Sequence, residues 1–270
     1  LENINKFFFF EFSLNFIKRY ISLYTLLNFK KQMNNPKSIS LMFPLYKDKR
    51  TVKIMIFKSL KVLKKTNLKF EIIVVDDGCP EKSGKIAKLY SKKFPQIKVF
   101  FHKKNLGYGY AIRTGLKKSN NECIFLIDGD NEYDVNDLPR MLKAYKYSDL
   151  VITYRYKKKY KTNRIIISWI YNKILRFLFN IRFKDISTGS RLLSQKLKNN
   201  IRISSSSPFL GAELAIKSKI QGYKISEIGI HTYPRTFGSG SSVSLKNIIL
   251  TIKDMIILFG KICLKKKLDH

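Results

Sequence analysis

"FEIIVVDDG", residues 70–78, is a continuous apolar run that ends in two acids and a glycine. An apolar run without polar alternation is typical of a parallel strand that is buried on both faces. Similar runs occupy residues 38–46, where Pro44 ends the apolar stretch, and residues 97–102 and 123–127. We therefore predict four strands in this part of the chain.

Segments with helical spacing of apolar residues separate these strands, at residues 51–65, 81–93 and 107–118. Strands and helices that alternate in this way form βαβ units. The sequence therefore predicts an α/β fold, with a doubly wound, mostly parallel sheet and flanking helices. In such sheets, ligands bind beyond the carboxyl ends of the strands.

Carboxylates gather at those predicted strand ends. Asp76 and Asp77 follow one apolar run, and "DGDNEYD" (128–134) follows another, with Asp128 and Asp130 in Asp-x-Asp spacing. A turn or a helix cap explains each group structurally. Two carboxylates at this spacing also suit Mg²⁺ or Mn²⁺, which prefers oxygen ligands and binds substrate phosphates. The spacing alone leaves both interpretations open.

The chain is strongly basic: among 270 residues, 53 Lys and Arg against 19 Asp and Glu give a net charge of +34. The basic residues are mostly Lys, spread along the whole chain, and no nucleic-acid-binding motif accompanies them. We therefore expect no nucleic-acid partner. The charge favours anionic membrane surfaces and phosphorylated ligands. The three cysteines lie far apart, which indicates neither a zinc site nor a disulfide framework.

Five motifs then appear in a characteristic order. They are "FPLYKDK", "EIIVVDDGCPEKSGKIA", "HKKNLGYGYAIRTGL", "FLIDGDNEYDVNDLPRML" and "DISTGSRLL". Together they resemble the family 2 glycosyltransferases with the GT-A fold, and especially the dolichol-phosphate mannosyltransferase-like or polyprenyl-phosphate branch. The resemblance covers about residues 38–240. The chain departs from the usual pattern at Lys47, Asp48, Cys79 and Glu81, which bears on the choice of sugar more than on the reaction.

The resemblance implies roles at the donor site. The residues implied to contact the nucleotide are Pro44, Tyr46, Asp48, Asp76, Asp77, Asn105, Gly107 and Gly109. Asp76 would hold the base or ribose, and Asn105 to Gly109 would form a turn beside the nucleotide. The implied ligands of Mg²⁺ or Mn²⁺ are Asp128, Asp130 and Glu132.

The second half of the chain supplies candidate acceptor contacts. Residues 153–185 open with a basic loop and continue as an apolar helix whose polar positions recur every four residues: Arg164, Ser168, Asn172, Arg176 and Asn180. This pattern fits a core helix packed on the sheet, or an amphipathic helix at a membrane surface, which its aromatic and basic residues favour. The acceptor contacts implied by the resemblance are Arg155, Arg164, Ser168, Gly189, Arg191 and Glu213.

Arg235, followed by two glycines in a serine-rich stretch, resembles a loop that closes over the nucleotide; an ordinary flexible loop is the alternative. Residues 1–32 are expected to be an extension, either interfacial or foreign to the native product. Residues 241–270 are expected to form an amphipathic helix on the membrane surface and a basic tail.

The resemblance thus implies inverting, metal-dependent transfer of a hexose from a UDP- or GDP-sugar to polyprenyl phosphate, by a peripheral enzyme at the cytoplasmic face of a membrane. The residues implied in catalysis are Asp128, Asp130, Arg155, Arg164 and Arg235. One alternative is transfer to a hydroxyl of a growing glycan. Another is a basic docking protein without catalysis. A dinucleotide-binding oxidoreductase is disfavoured because no Gly-x-Gly-x-x-Gly follows the first strand.

Overall fold

The computed structural model describes residues 34–156, 162–234 and 244–268, without the side chains of 162–164 and 265–268. The predicted extension at 1–32 lies outside these residues, and the elements below belong to one unit, Pro36–His270. The strands are β1 (Ser38–Leu45), β2 (Lys69–Asp76), β3 (Ile97–Phe101), β4 (Cys123–Leu126), β5 (Leu150–Arg155), β6 (Arg191–Ser194) and β7 (Ile225–Ile230). The helices are α1 (Val52–Lys64), α2 (Ser83–Lys93), α3 (Tyr108–Lys118), α4 (Leu138–Tyr145), α5 (Thr162–Phe179), α6 (Gln195–Asn200), α7 (Leu210–Ile220) and α8 (Leu245–Leu268), with a 3₁₀ turn at Val135–Asp137.

The seven strands form one sheet in the order β3-β2-β1-β4-β6-β5-β7. Neighbouring strands are parallel except at β6, which runs antiparallel to both β4 and β5. The predicted mostly parallel sheet with flanking helices is therefore confirmed. The carboxyl ends of β1, β2, β4 and β5 lie at one edge, which gathers the loops after these strands.

Strand β1 continues one residue beyond Pro44, to Leu45, so the prediction that Pro44 ends the apolar stretch is off by one position. The carbonyl of Met42 accepts a hydrogen bond from the N–H of Ile127, so the backbone groups of Met42 face β4. Since backbone groups alternate in direction along a strand, those of Pro44 face the same side. Pairing with β4 ends at Met42 and Leu126. The missing N–H of Pro44 therefore removes no ladder hydrogen bond.

A hydrophobic core lies on each face of the sheet. Along β1, Leu41 and Phe43 point into the core under α1, α2 and α4, whereas Met42 points into the other core. Helices α3, α5, α7 and α8 cover that second face. This alternation explains why residues 41–45 of β1 and 72–75 of β2 are continuously apolar, because both faces are covered.

A buried carboxylate ties the strands together at the opposite edge of the sheet. Glu71 accepts hydrogen bonds from the hydroxyl of Ser40 at 2.6 Å, the ammonium of Lys98 at 2.7 Å and the backbone N–H of Asn120 at 3.2 Å. Burial alone would raise the pKa of Glu71, but these hydrogen bonds together outweigh it and hold the pKa below its usual value. Glu71 thus joins β1, β2, β3 and the loop before β4.

We predict that Glu71→Gln destabilises the fold by about 1–3 kcal/mol near neutral pH, because an amide nitrogen would face a donor in this cluster. Since the pKa of Glu71 is lowered on folding, its contribution is present above the unfolded pKa and is lost as the pH falls through the folded value. The difference between wild type and variant should narrow below about pH 4. Urea unfolding at several pH values measures this difference.

Lys98→Gln is the matched control. The side chain of Lys98 is 50% exposed, so its loss should cost only about 0–1 kcal/mol. Equal stability of wild type and Glu71→Gln at pH 7 would contradict the assigned role of Glu71.

Candidate active site

Asp76, at the carboxyl end of β2, is bonded within its own loop. Its Oδ1 accepts from the N–H of Cys79 at 2.7 Å, and its Oδ2 accepts from the N–H of Gly84 at 2.6 Å. Gly84 lies in the first turn of α2, and a Cβ there would overlap the carboxylate. Asp76 therefore caps the N-terminus of α2 although it lies outside the helix, as one of the two interpretations of the sequence expected. Its contact with a nucleotide stays a prediction.

Asp77 holds the turn that the sequence assigns to the nucleotide. Its two oxygens accept from the N–H groups of Leu106 at 2.9 Å and Gly107 at 2.8 Å. Gly107 has a φ of +99°, in the region that favours glycine. His102, which the sequence analysis missed, lies with its Nδ1 2.7 Å from Asp77 and its Nε2 2.9 Å from the hydroxyl of Thr114. Asp77 thus fixes the conformation of this turn through two hydrogen bonds to its backbone.

The loop after β1 lies beside these groups. The N–H of Tyr46 donates to the carboxylate of Asp48 at 3.1 Å, and the N–H of Lys47 donates to the sulfur of Cys79 at 3.1 Å. Tyr46 is 37% exposed, and Asn105 is also exposed. Both side chains therefore remain accessible to a ligand at this edge of the sheet.

Gly109 packs against a loop of four consecutive serines, residues 204–207, which we call the serine loop. The N–H of Gly109 donates to the carbonyl of Ser206 at 3.2 Å, and a Cβ on Gly109 would lie 2.6 Å from the same oxygen. The guanidinium of Arg113 donates to the carbonyls of Ser204 and Ser205. Only glycine therefore fits at position 109.

Glu213, in the first turn of α7, anchors the other side of the serine loop. It is fully buried and accepts from the N–H groups of Ser204 and Ser205 at 2.8–3.1 Å, while Lys217 pairs with it. Burial acts to raise the pKa of Glu213, but the hydrogen bonds from Lys217 and the serines outweigh it and lower the pKa. Any effect of Glu213 on the site therefore passes through the serine loop.

Asp128 follows β4 and lies against the predicted nucleotide turn. The hydroxyl of Tyr108 donates to its Oδ1 at 2.9 Å. On the other side, a Cβ on Gly189 would overlap the Asp128 carboxylate, so glycine is required there. Burial and the nearby carboxylates of Asp130 and Glu132 raise the pKa of Asp128 to about 7, against the opposing effect of Tyr108. A cation at this position would stabilise the ionised carboxylate.

The Asp-x-Asp segment turns sharply. The N–H of Glu132 donates to Asp130 Oδ1 at 3.0 Å, and Asn131 between them has a φ of +63°. The hydroxyl of Thr51 donates to the carbonyl of Gly129 at 2.9 Å, which fixes the start of the turn. The Asx-turn interpretation is thus realised, and the turn keeps Asp130 within electrostatic range of Asp128.

These carboxylates fit a metal that is shared with a substrate. Within residues 34–156, 162–234 and 244–268, no three or more His, Cys, Asp or Glu side chains converge as a metal-binding group. Mg²⁺ usually binds one or two protein carboxylates together with phosphate oxygens, rather than a cage of protein ligands. Asp128 and Asp130 suit that arrangement. A ligand role for Glu132 stays a prediction.

Arg191 lies beneath this site. It is 2% exposed, and its guanidinium donates to the carbonyls of Ile186, at 2.8 Å, and Thr188. A Cβ on Gly211 of α7 would overlap the guanidinium. Arg191 therefore shapes the turn that presents Gly189 to Asp128, and any effect on an acceptor would pass through that turn.

Arg155, at the end of β5, forms a buried ion pair. Its Nε donates to Asp185 at 2.8 Å, and its Nη2 donates to the hydroxyls of Ser187 at 2.7 Å and Ser168 at 3.4 Å. The Arg155 and Asp185 side chains are 5% and 4% exposed. The structure thus places Arg155 and Ser168 next to each other, and their contact with an acceptor stays a prediction. Arg164 lies in the first turn of α5, but its side chain and all of Arg235 fall outside the described residues.

Two residues of the polar stripe of α5, Asn172 and Arg176, contact the segment that follows the helix. Asn172 is buried and accepts from the N–H of Ile186 at 3.0 Å, and Arg176 donates to the carbonyls of Phe183 and Lys184. Leu175 of α5 lies in the core, but several other apolar residues of this helix face outward. The exposed ones are Ile166, Ile167, Trp169, Ile170, Ile174 and Phe177.

Helix α8 has a similar outer side. Its inner residues Met255 and Leu258 share one core with Leu175 of α5, and the rings of Phe179 and Phe259 meet at 5.9 Å. Its exposed apolar residues are Leu245, Ile249, Ile252, Ile256, Ile257 and Leu264. Together with those of α5 we call these residues the outer apolar face. No helix in the described residues is both long and apolar enough to cross a membrane.

Comparison with known proteins identifies the family. The profile of the family described as "Glycosyl transferase family 2" matches residues 41–202. The human protein named dolichyl-phosphate beta-glucosyltransferase is 31% identical over 115 residues, which is 40% of this chain and 36% of that protein. An uncharacterized glycosyltransferase of Rickettsia bellii (strain RML369-C) is 31% identical over 127 residues, 47% of this chain and 18% of that protein. The chain thus matches only about a third or less of these relatives' length.

Solved structures agree on the fold. Glucosyl-3-phosphoglycerate synthase from Mycobacterium tuberculosis, in complex with Mn²⁺, UDP and glucosyl-3-phosphoglycerate, superposes with a TM-score of 0.66 at 14% identity over 83% of this chain and 79% of that one. Its complex with Mn²⁺, UDP-glucose and phosphoglyceric acid gives 0.62 at 14% identity, over 81% and 79%. The expected GT-A fold is thereby confirmed. The chain belongs to glycosyl transferase family 2.

Proposed function

We propose that this protein transfers a hexose, with inversion, from a UDP- or GDP-sugar to polyprenyl phosphate in a reaction that depends on Mg²⁺ or Mn²⁺. The observation that carries the proposal is the hydrogen bond from Tyr108 to Asp128. It joins the turn assigned to the nucleotide to the acid assigned to the metal, so that one diphosphate would contact both.

The donor half of the site suits a nucleoside diphosphate. Asp128 and Asp130 would hold the ion, which supplies charge neutralisation to the departing diphosphate when bound. Asp77 fixes the turn at Leu106 and Gly107 close to that position. The Mn²⁺ and UDP named with the mycobacterial structures support this donor chemistry.

The acceptor is proposed to be a lipid phosphate. A phosphate monoester is largely dianionic at neutral pH, so it would attack the anomeric carbon without a general base. The names of the human and mouse relatives support a dolichol-type phosphate acceptor and glucose as the sugar. One observation favours the alternative acceptor, a hydroxyl group of a glycan. Asp185 already balances the charge of Arg155, which reduces the attraction of this arginine for a phosphate.

The outer apolar face is proposed to rest on an anionic membrane surface. It presents Ile, Trp, Phe and Leu side chains to the outside, beside the exposed lysines Lys173, Lys253 and Lys261. Apolar residues flanked by cations bind the interface of anionic bilayers. We place the protein at the cytoplasmic face, as a peripheral enzyme, where a lipid acceptor would meet the mouth of the site beside α5.

We predict that Asp128→Asn and Asp130→Asn each lower kcat by at least about a hundredfold, because the diphosphate would lose charge stabilisation. EDTA should stop turnover of the wild type, and added Mg²⁺ or Mn²⁺ should restore it. Release of UDP or GDP from a panel of nucleotide sugars measures the reaction.

Asp134→Asn is the matched control in the same segment. Asp134 accepts from the N–H of Asn136 at 3.0 Å and caps the 3₁₀ turn, so this variant should retain most activity. Full turnover in EDTA, or by Asp128→Asn, would contradict the metal site.

We predict that Arg164→Ala and Arg155→Lys raise the KM for a short-chain polyprenyl phosphate about ten- to a hundredfold, because each would lose a charge-assisted hydrogen bond to phosphate. The KM for the nucleotide sugar should stay within about twofold. Arg155→Lys is used because Arg155→Ala would leave Asp185 buried without its counter-ion. Initial rates with each substrate varied in turn separate the two constants.

Lys143→Ala is the control, since Lys143 is exposed on α4, across the sheet from α5. A soluble glycan without phosphate serves as the competing acceptor. If the wild type uses that glycan and ignores polyprenyl phosphate, and both arginine variants behave like the wild type, the hydroxyl acceptor replaces the lipid phosphate.

A further inference from the structure

Asp254 is an acid on the inner side of the mostly apolar helix α8. Its neighbour Met255 is buried in the core, and Ile252 and Ile256, on either side, are 46% and 62% exposed. The Asp254 carboxylate accepts from the N–H groups of Ser206 and Ser207, both at 3.1 Å. The position of α8 is therefore fixed to the serine loop by one carboxylate.

The serine loop carries this contact to the nucleotide turn. The N–H of Ser206 donates to Asp254, and the carbonyl of the same residue accepts from the N–H of Gly109. A Cβ on Gly109 would collide with Ser206, so loop and turn are in close backbone contact. A displacement of Ser206 would consequently displace Gly109.

The contact continues to the proposed metal site. Tyr108, between Gly107 and Gly109, donates its hydroxyl to Asp128. Helix α8 is thus linked through Asp254, Ser206 and the nucleotide turn to Asp128, and every step is a hydrogen bond or a chain neighbour. Such a continuous packed chain can transmit a change in position between two sites.

We propose that Asp254 is a positioning residue that couples the seating of α8 to nucleotide binding. When the outer apolar face rests on an anionic bilayer, α8 is immobilised, and Asp254 holds the serine loop and the turn in their binding arrangement. A ligand then binds more tightly because less conformational freedom is lost. This proposal rests on the membrane docking proposed above, but not on the identity of the acceptor.

The test is the affinity for UDP, with GDP in parallel, measured by calorimetry in Mg²⁺ with and without phosphatidylglycerol–phosphatidylcholine vesicles. Asp254→Ala should raise the Kd about tenfold, because two hydrogen bonds to a charged group are lost. Asp254→Asn keeps an accepting oxygen and should raise the Kd by a smaller factor. Gly260→Ala, on α8 in open space, is the control and should bind like the wild type.

Vesicles should lower the Kd of the wild type and of Gly260→Ala, but not that of Asp254→Ala. Hydrogen exchange at residues 206–207 and 109 should quicken in Asp254→Ala, while vesicle co-sedimentation stays as in the wild type. If Asp254→Ala fails to fold, Asp254→Asn decides by the same readings.

Three results would overturn the coupling: an unchanged Kd in the Asp254 variants, an equal vesicle effect in wild type and variants, or no vesicle effect on the wild type. Failure of the wild type to glycosylate polyprenyl phosphate would instead count against the proposed acceptor. The nucleotide isotherms would still decide the role of Asp254, so the two failures are distinguishable.

Discussion

The site depends on the close approach of three loops around the carboxylate of Asp128. The Tyr108 hydroxyl contacts it from the nucleotide turn, and Gly189 lies so near on the other side that no side chain fits. Burial and the neighbouring acids destabilise the charged form of Asp128 and raise its pKa to about 7. The partner that we propose for this carboxylate is a divalent cation that carries the diphosphate of the donor. The observed loop packing and the proposed donor chemistry thus both depend on Asp128.

The sequence predicted the sheet and the acids at its edge, because both follow from local patterns. Continuous apolar runs identify strands covered on both faces, and chain direction then brings Asp76, Asp77 and Asp128 to one edge. The strand boundary at Pro44 was missed by one residue, because pairing with β2 continues to Leu45, opposite Asp76.

Long-range partners could not be read from sequence. Asp185 pairs with Arg155, 30 positions away, and Asp254 reaches Ser206, 48 positions away. Neither aspartate belongs to a local motif that names its partner. Sequence did locate the polar stripe of α5, yet only the structure shows that Asn172 within it is buried while several apolar side chains of the same helix are exposed. What covers the outer apolar face stays a prediction.

We propose above that the nucleotide turn and Asp128 form one donor site. A crystal structure of the protein with UDP or GDP and Mn²⁺ would test this arrangement. We expect an ion bound to Asp128 or Asp130 and to two phosphate oxygens, with the nucleotide lying along residues 105–109. A nucleotide bound away from this turn, or an ion held by other side chains, would contradict it.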